Sequence, residues 1–428
     1  MSDSLSKLRS GQLAGATRID LSCGLTEFPR EIFELADTLE VLNLTGNRLS
    51  ELPDDLPRLS KLRILFCSAN EFRHLPAVLG QCPALEMIGF KSNAIESVTG
   101  VPTSLRWLIL TDNRIERLPA SLGNCTRLQK LMLAGNLLKE LPEEMAACRA
   151  LELVRLSANR FHALPAWLFE LPRLAWLALG GNPLSDANHR LSPIAGIPWQ
   201  AIRTDEILGE GASGTIYKGS WQSRDIAVKI FKGAVTSDGL PADEMAACLA
   251  AGDHPHLIPV LGKITDHPTA AQGLVLDLIG KDFASLAGPP SWETCTRDVY
   301  REGHRFSRAE ALRIANGMAA AGRMLHERGI LHGDFYAHNI LANAAGDCLL
   351  GDFGAASFYP ELLPAQALER IEARAFGCLL EELLDRCDDA TEEIRELAND
   401  CLSPVPAERP LFSAIAERLE DMAARSTC

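Results

Sequence analysis

The sequence has 428 residues, of which 47% are hydrophobic and 23% charged, and its formal net charge is −14 at pH 7. This length is too great for one ordinary domain, so two or three packed domains are expected. The negative charge argues against nucleic acid or an anionic membrane surface as the main partner, because both require a basic protein face.

Nothing in the sequence indicates export or membrane insertion. Residues 1–15 lack an apolar core of signal-peptide length, and no later apolar run is long enough to span a bilayer. A cytoplasmic protein with reduced cysteines is therefore expected. Three cysteines, Cys82, Cys125 and Cys148, recur at one position of a repeat, which favours small buried hydrophobic side chains over metal ligands.

The first half of the chain repeats the pattern L-x-x-L-x-L-x-x-N at steps of 20 or 23 residues. A degenerate first copy, "RIDLSCGLTEFP", begins at residue 18. The copies that follow begin at Leu39, Leu62, Leu85, Leu105, Leu128, Leu151 and Leu174, and they end at Asn47, Asn70, Asn93, Asn113, Asn136, Asn159 and Asn182.

This pattern resembles a leucine-rich repeat array of the intracellular type, whose units continue as in "LSELPDDLPRL". The resemblance covers residues 16–196 and implies an α/β solenoid of about eight repeats, in which neighbouring units share one leucine core. The asparagines are expected to satisfy backbone groups at each turn, which is a structural role.

The strand positions between the inward-pointing leucines are unusually apolar. A contiguous apolar patch usually marks an interaction site. The expectation is therefore a protein partner or substrate on the concave face; packing against a neighbouring domain, or against a second copy of this chain in a homo-oligomer, is the alternative. The expected anchors are Phe66, Trp107, Ile109, Met132 and Trp176.

Residues 182–200 break the repeat, and 197–201 are expected to be a linker. The next stretch, "ILGEGASGTIYKG", places Gly209, Gly211 and Gly214 before a second predicted strand. A G-x-G-x-x-G motif also fits dinucleotide-binding folds, but there it opens a helix. The order strand, glycine turn, strand resembles the nucleotide loop of protein kinases.

The resemblance to protein kinases continues through ordered motifs to about residue 422 and implies a bilobal α+β fold that binds ATP and Mg²⁺. Lys229 of "AVK" would contact the α- and β-phosphates, and Glu244 would hold this lysine by an ion pair. Leu276 corresponds to the gatekeeper. The implied nucleotide-binding residues are Gly209, Gly211, Ser213, Gly214, Ile216, Ala227, Lys229, Leu276, Asp277, Leu278 and Leu341.

The stretch "HGDFYAHN", residues 332–339, resembles the catalytic loop of that family. Asp334 would accept the proton of the attacking hydroxyl, and Asn339 would bind a metal ion together with Asp352 of "GDFG". Glu372 stands where the family has an aspartate in its central helix. Arg409 corresponds to the arginine that pairs with a glutamate closing the activation segment.

Two residues of this loop depart from the family. Gly333 replaces an arginine that grips a phosphorylated activation loop, and Tyr336 replaces the lysine that steadies the γ-phosphate. His338 is the hypothesised substitute for that lysine, and a solvent-exposed histidine without a role in catalysis is the alternative. The segment from Asp352 to position 361 is only ten residues long, although Ser357 and Tyr359 remain within it as possible modification sites.

The expected function is thus transfer of the γ-phosphate of ATP to serine or threonine hydroxyls, with tyrosine as an alternative acceptor, and with autophosphorylation and recruitment of a partner or substrate by the repeats. A nucleotide-binding pseudokinase scaffold and a small-molecule phosphotransferase remain as alternatives. The expected organisation is a lead-in at 1–15, repeats at 16–196, a linker at 197–201, an N-lobe at 202–281 and a C-lobe at 282–428.

Overall fold

The computed structural model describes residues 3–185, 196–211, 213–233, 235–359, 363–389 and 391–426. The chain forms two compact units. The first comprises Met1–Val154 and Asn159–Leu171, and the second comprises Arg155–Ala158 and Pro172–Cys428. The second unit therefore begins inside the repeats, earlier than the boundary expected from the sequence.

The first unit is built from short parallel strands that repeat with the sequence. The central residues of these strands are fully buried, as Leu42, Leu65 and Leu108 show. Most of these repeats return through a short 3-10 helix, for example Ala120–Asn124 or Glu143–Ala147. Its elements are α1 Asp3–Arg9, β1 Arg18–Asp20, β2 Val41–Asn43, β3 Ile64–Phe66, β4 His74–Leu75, β5 Met87–Gly89, β6 Ser97–Val98, β7 Trp107–Ile109 and β8 Lys130–Met132.

The register of these strands confirms the predicted repeat phase. Val41 lies opposite Ile64, which lies opposite Met87, and the same alignment continues to Trp107 and Lys130. The first leucine of every copy is buried. The repeat spacing read from the sequence therefore sets the spacing of the strands.

The repeated asparagines have the structural role that was expected. Asn136 donates to the carbonyl oxygens of Leu110 and Leu133, both at 2.9 Å, and its own oxygen accepts from the backbone of Ile115 at 3.1 Å. Asn113 makes the equivalent bonds one repeat earlier. Each asparagine thus links successive turns. Cys82, Cys125 and Cys148 are buried as predicted.

Strand β9, Leu153–Arg155, carries the chain into the second unit, where β10, Trp176–Ala178, follows. In this unit Leu156 donates to Ala178 and Ala158 donates to Gly180 through the backbone. The next elements are β11 Gly196–Pro198, β12 Arg203–Glu210, β13 Gly214–Trp221, β14 Arg224–Phe231, α2 Pro241–Ala251, β15 Val260–Thr265 and β16 Gly273–Asp277.

A six-stranded sheet in the order β11, β15, β16, β14, β13, β12 forms the first part of this unit. Strand β11 pairs in parallel with β15, and the other neighbours are antiparallel. Residues 197–201, expected to be a linker, instead continue from β11 into a 3-10 helix. Ile197 joins the apolar core with Ile226 and Val275, which is why this stretch is held in the sheet.

The rest of the second unit is mainly helical and includes several short strands. Helix α3 begins with a capping box between Ser307 and Glu310. Helix α4 is buried along most of its length, as expected for a central helix. The elements are β17 Ala284–Ser285, α3 Arg308–Glu327, β18 Ile330–Leu331, β19 Ile340–Ala342, β20 Cys348–Leu350, β21 Ser357–Phe358, α4 Ala365–Leu384, α5 Glu392–Cys401 and α6 Phe412–Ser426.

Candidate active site

A cavity of about 320 Å³ opens beneath the glycine turn that joins β12 to β13. This volume is at the lower end of the range for small-ligand sites. Methyl groups placed on Gly209 or Gly211 would meet no atom within 4 Å, so the turn borders open space. Of the predicted nucleotide-binding residues, Gly209, Gly211, Ser213, Gly214, Ile216, Lys229 and Leu276 line this cavity.

The other four predicted nucleotide-binding residues do not line the cavity. Ala227 is buried on β14 opposite Leu276. Asp277, at the end of β16, pairs with Arg224 at 2.7 Å. Leu278 follows it, and Leu341 lies on β19 opposite Leu349.

Lys229, Glu244 and Asp352 form a charged cluster at the wall of the cavity. The Lys229 Nζ is paired with the Glu244 Oε1 and lies 3.6 Å from the Asp352 Oδ1. Lys229 is on β14, and Glu244 is in the first turn of α2. The sequence predicted this pair, and the structure places its two members together.

Burial acts on both members of this pair. It disfavours the charged amine of Lys229, but the carboxylates of Asp352 and Glu244 outweigh it and raise the pKa of that lysine. Burial raises the pKa of Glu244 to about 7, and Lys229 opposes this shift only in part. The lysine is therefore a permanent cation, whereas the glutamate titrates near neutral pH.

Asp334 and Asn339 lie in the loop between β18 and β19. The Asn339 Nδ2 donates to the Asp334 Oδ2 at 2.8 Å and to the backbone oxygen of Asp334 at 2.9 Å. The backbone nitrogen of Gly351, the residue before Asp352, donates to the Asn339 carbonyl at 2.9 Å. This bond ties the loop to the segment that carries Asp352.

Glu372 of α4 binds the backbone of the same loop. It is 1% exposed, and its carboxylate accepts from the backbone nitrogens of His332 at 3.2 Å and Gly333 at 2.7 Å. His326 lies 3.1 Å from it. Burial alone would raise the pKa of Glu372, but the bond to His326 and the charges of His326 and His332 lower it. The glutamate at this position of α4 thus binds the backbone of the catalytic loop.

Arg155, at a strand position of the repeat pattern, contacts Asp334 directly. Its guanidinium is paired with the Asp334 Oδ1, donates to the Gly333 carbonyl at 2.9 Å and to the Asp238 Oδ1 at 2.7 Å. Burial raises the pKa of Asp334, but Arg155, His338, His332 and Asn339 outweigh it and lower that pKa. A signal was present in the sequence, because no other repeat has an arginine at this strand position.

His338 is engaged with Asp298. Its backbone nitrogen and its Nδ1 lie 2.9 and 2.7 Å from the two carboxylate oxygens. Burial lowers the pKa of His338, but the bond to Asp298 and its charge raise it overall. The hypothesis that His338 replaces the missing lysine stays a prediction, and the residue paired with Asp334 is Arg155.

Trp176, expected to be exposed as an anchor for a partner, is buried in the second unit. Its ring stacks on Tyr336 with centroids 4.2 Å apart, and its Nε1 donates to the Phe335 carbonyl at 3.3 Å. The expectation of exposure was wrong because the catalytic loop covers this side chain. Phe66, Trp107, Ile109 and Met132 are each half-buried.

The possible modification sites in the short segment after Asp352 are enclosed. Ser357 is 3% exposed, and its Oγ accepts from the backbone of Leu179 at 2.8 Å. The Tyr359 hydroxyl is bonded to the His326 Nδ1. Both hydroxyl groups are therefore already engaged in hydrogen bonds.

Arg409 is also enclosed. Its guanidinium donates to the carbonyls of Pro172 at 2.8 Å, Ser403 at 2.9 Å and Arg370 at 3.2 Å. Burial lowers the pKa of this arginine to about 9, and Arg374 adds to the effect. Position 361, where the short segment after Asp352 was taken to end, lies outside the described residues.

The donors at the site fit a nucleotide with a hard divalent cation. Asp352 and Asn339 offer oxygen ligands, which Mg²⁺ prefers, and phosphate oxygens and water normally complete its coordination. Within the described residues, no cluster of three or more histidine, cysteine or acidic side chains is arranged to hold a metal ion. The two residues would therefore hold a cation together with phosphate rather than alone.

Comparisons with known proteins agree with this architecture. Residues 202–367 match the family model of the protein kinase domain. Residues 103–161 and 126–184 match a leucine rich repeat model, and residues 38–59 match a second one. Of the helices in the described part of the chain, none combines the length and the apolar composition that crossing a membrane would require.

Curated relatives include a probable cyclin-dependent serine/threonine-protein kinase of Dictyostelium discoideum, 25% identical over 198 residues, covering 41% of this chain and 29% of the relative. The dual specificity protein kinase shkA of the same organism is 23% identical over 272 residues, covering 52% and 49%. The serine/threonine-protein kinase mos of Gallus gallus is 28% identical over 195 residues, covering 41% and 54%.

The chain thus spans about half or less of the length of these relatives. The matched region holds the glycine turn, the Lys229–Glu244 pair, Asp334, Asn339 and Asp352. The repeat matches precede it in the sequence. The chain therefore carries leucine-rich repeats followed by a protein kinase domain.

Proposed function

We infer that the protein transfers the γ-phosphate of ATP to hydroxyl groups of proteins, serine or threonine in the first place. The observation that carries this inference is the Lys229, Glu244 and Asp352 cluster in the wall of the cavity. A buried lysine between two carboxylates is costly to assemble. Phosphate binding gives this arrangement a use that packing alone does not provide.

Each residue of the site has a role in this proposal. Lys229 and the glycine turn hold the phosphates, and Glu244 keeps Lys229 in place. Asn339 and Asp352 hold Mg²⁺, and Asp334 orients the acceptor hydroxyl and accepts its proton. Bound ATP supplies the phosphoryl group, and its cation offsets the negative charge that develops on the phosphate oxygens.

The first test measures transfer of labelled γ-phosphate from Mg-ATP to the protein itself and to casein. Lys229→Met removes the phosphate-binding cation, so the label should fall by at least about a hundredfold. Lys263→Met, an exposed lysine of β15 outside the cavity, is the matched control and should retain the wild-type rate. Equal labelling by the wild type and Lys229→Met would contradict the proposal.

The identity of the labelled amino acid tests the acceptor class. Phosphoserine or phosphothreonine in the hydrolysed product agrees with the proposal, and phosphotyrosine alone contradicts it. Label on the protein itself would establish autophosphorylation, which the proposal includes. Bound ATP without transfer to any protein would favour a nucleotide-binding scaffold.

The repeats are proposed to recruit a protein partner or substrate. Ile109 on β7 and Met132 on β8 are neighbours in register and remain half-buried, so they offer apolar surface on adjacent strands. Proximity labelling in cells compares the wild type with a variant that carries Ile109→Asp and Met132→Asp. Loss of specific labelled proteins is expected, and an unchanged set would contradict recruitment through these residues.

A further inference from the structure

Arg155 is an unusual residue for the position it occupies. Among the strands β2, β3, β5, β7 and β8, the corresponding residue is asparagine, phenylalanine, glycine, isoleucine or methionine. The row begins at β1 with Asp20, whose charged side chain is 46% exposed, whereas the side chain of Arg155 is only 2% exposed. A buried guanidinium is tolerated only where its hydrogen bonds and its charge are matched.

The partners of Arg155 all belong to the second unit and to the candidate active site. The Nε donates to Asp238, one terminal nitrogen donates to the Gly333 carbonyl, and the other is paired with the Asp334 Oδ1. The planar donors of arginine suit such a divided contact. The Asn339 Nδ2 holds the second oxygen of Asp334 at 2.8 Å, so both oxygens of that carboxylate are fixed in direction.

The catalytic loop has no basic side chain of its own at the two departing positions. Gly333 has a φ of +72°, and a Cβ there would lie 2.6 Å from the carbonyl oxygens of Leu177 and Ala355. Tyr336 is 4% exposed and stacked beneath Trp176. The last repeat strand therefore fills the space that a side chain at position 333 would need, and the cation beside Asp334 comes from Arg155.

Arg155 also contacts Asp238, which lies outside the catalytic loop. This aspartate precedes α2 by a few residues, and α2 carries Glu244, the partner of Lys229. Burial raises the pKa of Asp238, and the Asp334 charge adds to this effect, whereas Arg155 opposes both. Without the guanidinium, the half-buried carboxylates of Asp238 and Asp334 would lose the cation that both of them contact. Arg155 thus links the loop of Asp334 to the loop that leads into α2.

From this geometry we propose that Arg155 is a positioning residue for phosphoryl transfer, which fixes the Asp334 carboxylate and joins the catalytic loop to the segment before α2. The proposal rests on the kinase function inferred above. In this proposal Arg155, a residue of the repeat pattern, supplies the positive charge that Gly333 and Tyr336 of the loop do not supply. Arg155, which belongs to the second unit, then completes the active site of that unit.

The test measures kcat and the KM for Mg-ATP of the full-length protein with casein as acceptor. Because Arg155 does not line the nucleotide cavity, its loss should reduce kcat and leave the KM for ATP within about twofold. Arg155→Ala is expected to lower kcat by about a hundredfold, the usual cost of a displaced catalytic group. Arg160→Ala, an exposed arginine five residues on, is the matched control and should keep the wild-type kcat.

Two further variants keep the test decisive if Arg155→Ala unfolds. Arg155→Lys retains the positive charge, and Arg155→Gln retains length and donors without charge. The proposal requires the lysine variant to keep at least about tenfold more activity than the glutamine variant, which a packing role would not produce. Equal activities of these two variants would overturn it.

The remaining outcomes separate this inference from the proposed function. Wild-type transfer with an unchanged kcat in Arg155→Ala overturns the role of Arg155 and leaves the kinase function standing. A rise in kcat also overturns it, because Arg155 would then be an inhibitory contact on Asp334. A wild type no more active than Lys229→Met overturns the kinase function, and the inference about Arg155 falls with it.

Discussion

The carboxyl group of Glu244 is placed to titrate in the physiological range. Burial raises its pKa to about 7; Lys229 opposes the shift, while Asp352 and Asp238 add to it. Cys248, one turn along α2, is a further titratable neighbour, and burial raises its pKa as well. The Lys229–Glu244 pair is therefore complete above neutrality and loses its negative partner as the pH falls.

The first prediction follows from this titration. A raised pKa means that Glu244 takes up a proton as the pH falls through about 7. We expect kcat/KM for ATP to decrease below that pH, and Glu244→Gln to be less active and to lack this decrease. The control is Glu382→Gln, because burial raises the pKa of Glu382 to about 7 away from the cavity. A decrease of kcat/KM at low pH that persists in Glu244→Gln would contradict the assignment of this titration to Glu244.

Gly333 is predicted to be fixed by its surroundings. Its φ of +72° disfavours any side chain, and a Cβ would lie 2.6 Å from two carbonyl oxygens. We expect Gly333→Ala to lower the free energy of unfolding in urea by about 2–4 kcal/mol, through backbone strain and the close contacts. Gly303→Ala is the matched control, since Gly303 has the same φ of +72° but no atom within 4 Å of a Cβ. Equal losses in the two variants would show that the space around Gly333 has no effect.

At the scale of elements, the asparagine positions are expected to be the sensitive points of the repeats. Asn136 is 3% exposed and makes three bonds to the backbone of two repeats. Its replacement by alanine leaves buried donor and acceptor groups without partners, which should lower the free energy of unfolding by about 2–3 kcal/mol. Urea denaturation of Asn136→Ala and of Asn124→Ala, an exposed asparagine in a 3-10 helix, checks this. A similarly small loss of unfolding free energy in both variants would contradict the structural role of the repeated asparagines.

Elements whose pattern is local were predictable from the sequence. The leucine spacing sets strands β2, β3, β5, β7 and β8, because the central residue of each of these strands is a fully buried leucine or isoleucine. The glycine turn between β12 and β13 and the lysine on β14 were likewise readable, since strand, turn and strand follow one another along the chain. Strand β11 was missed because it pairs with β15, more than sixty residues later.

At the scale of the whole molecule, the contacts that sequence reasoning missed join distant positions. Arg155 and Asp334 are 179 residues apart, and Trp176 and Phe335 are 159 residues apart. No periodicity or motif encodes such a pair, so Trp176 was expected to be exposed and the contact between Arg155 and Asp334 was not anticipated. The departures from the kinase family at Gly333 and Tyr336 were visible in the sequence. Their physical reason was not visible there, because it depends on contacts with the strand that carries Leu177.

The account depends above all on Asp334 serving as the base for phosphoryl transfer. The most direct test incubates the wild type and Asp334→Asn with labelled Mg-ATP and casein under identical conditions. We predict label on protein with the wild type and a loss of at least about a hundredfold with Asp334→Asn, while both proteins bind ATP with similar affinity. Equal label from the two proteins, or no label from either, would contradict the account.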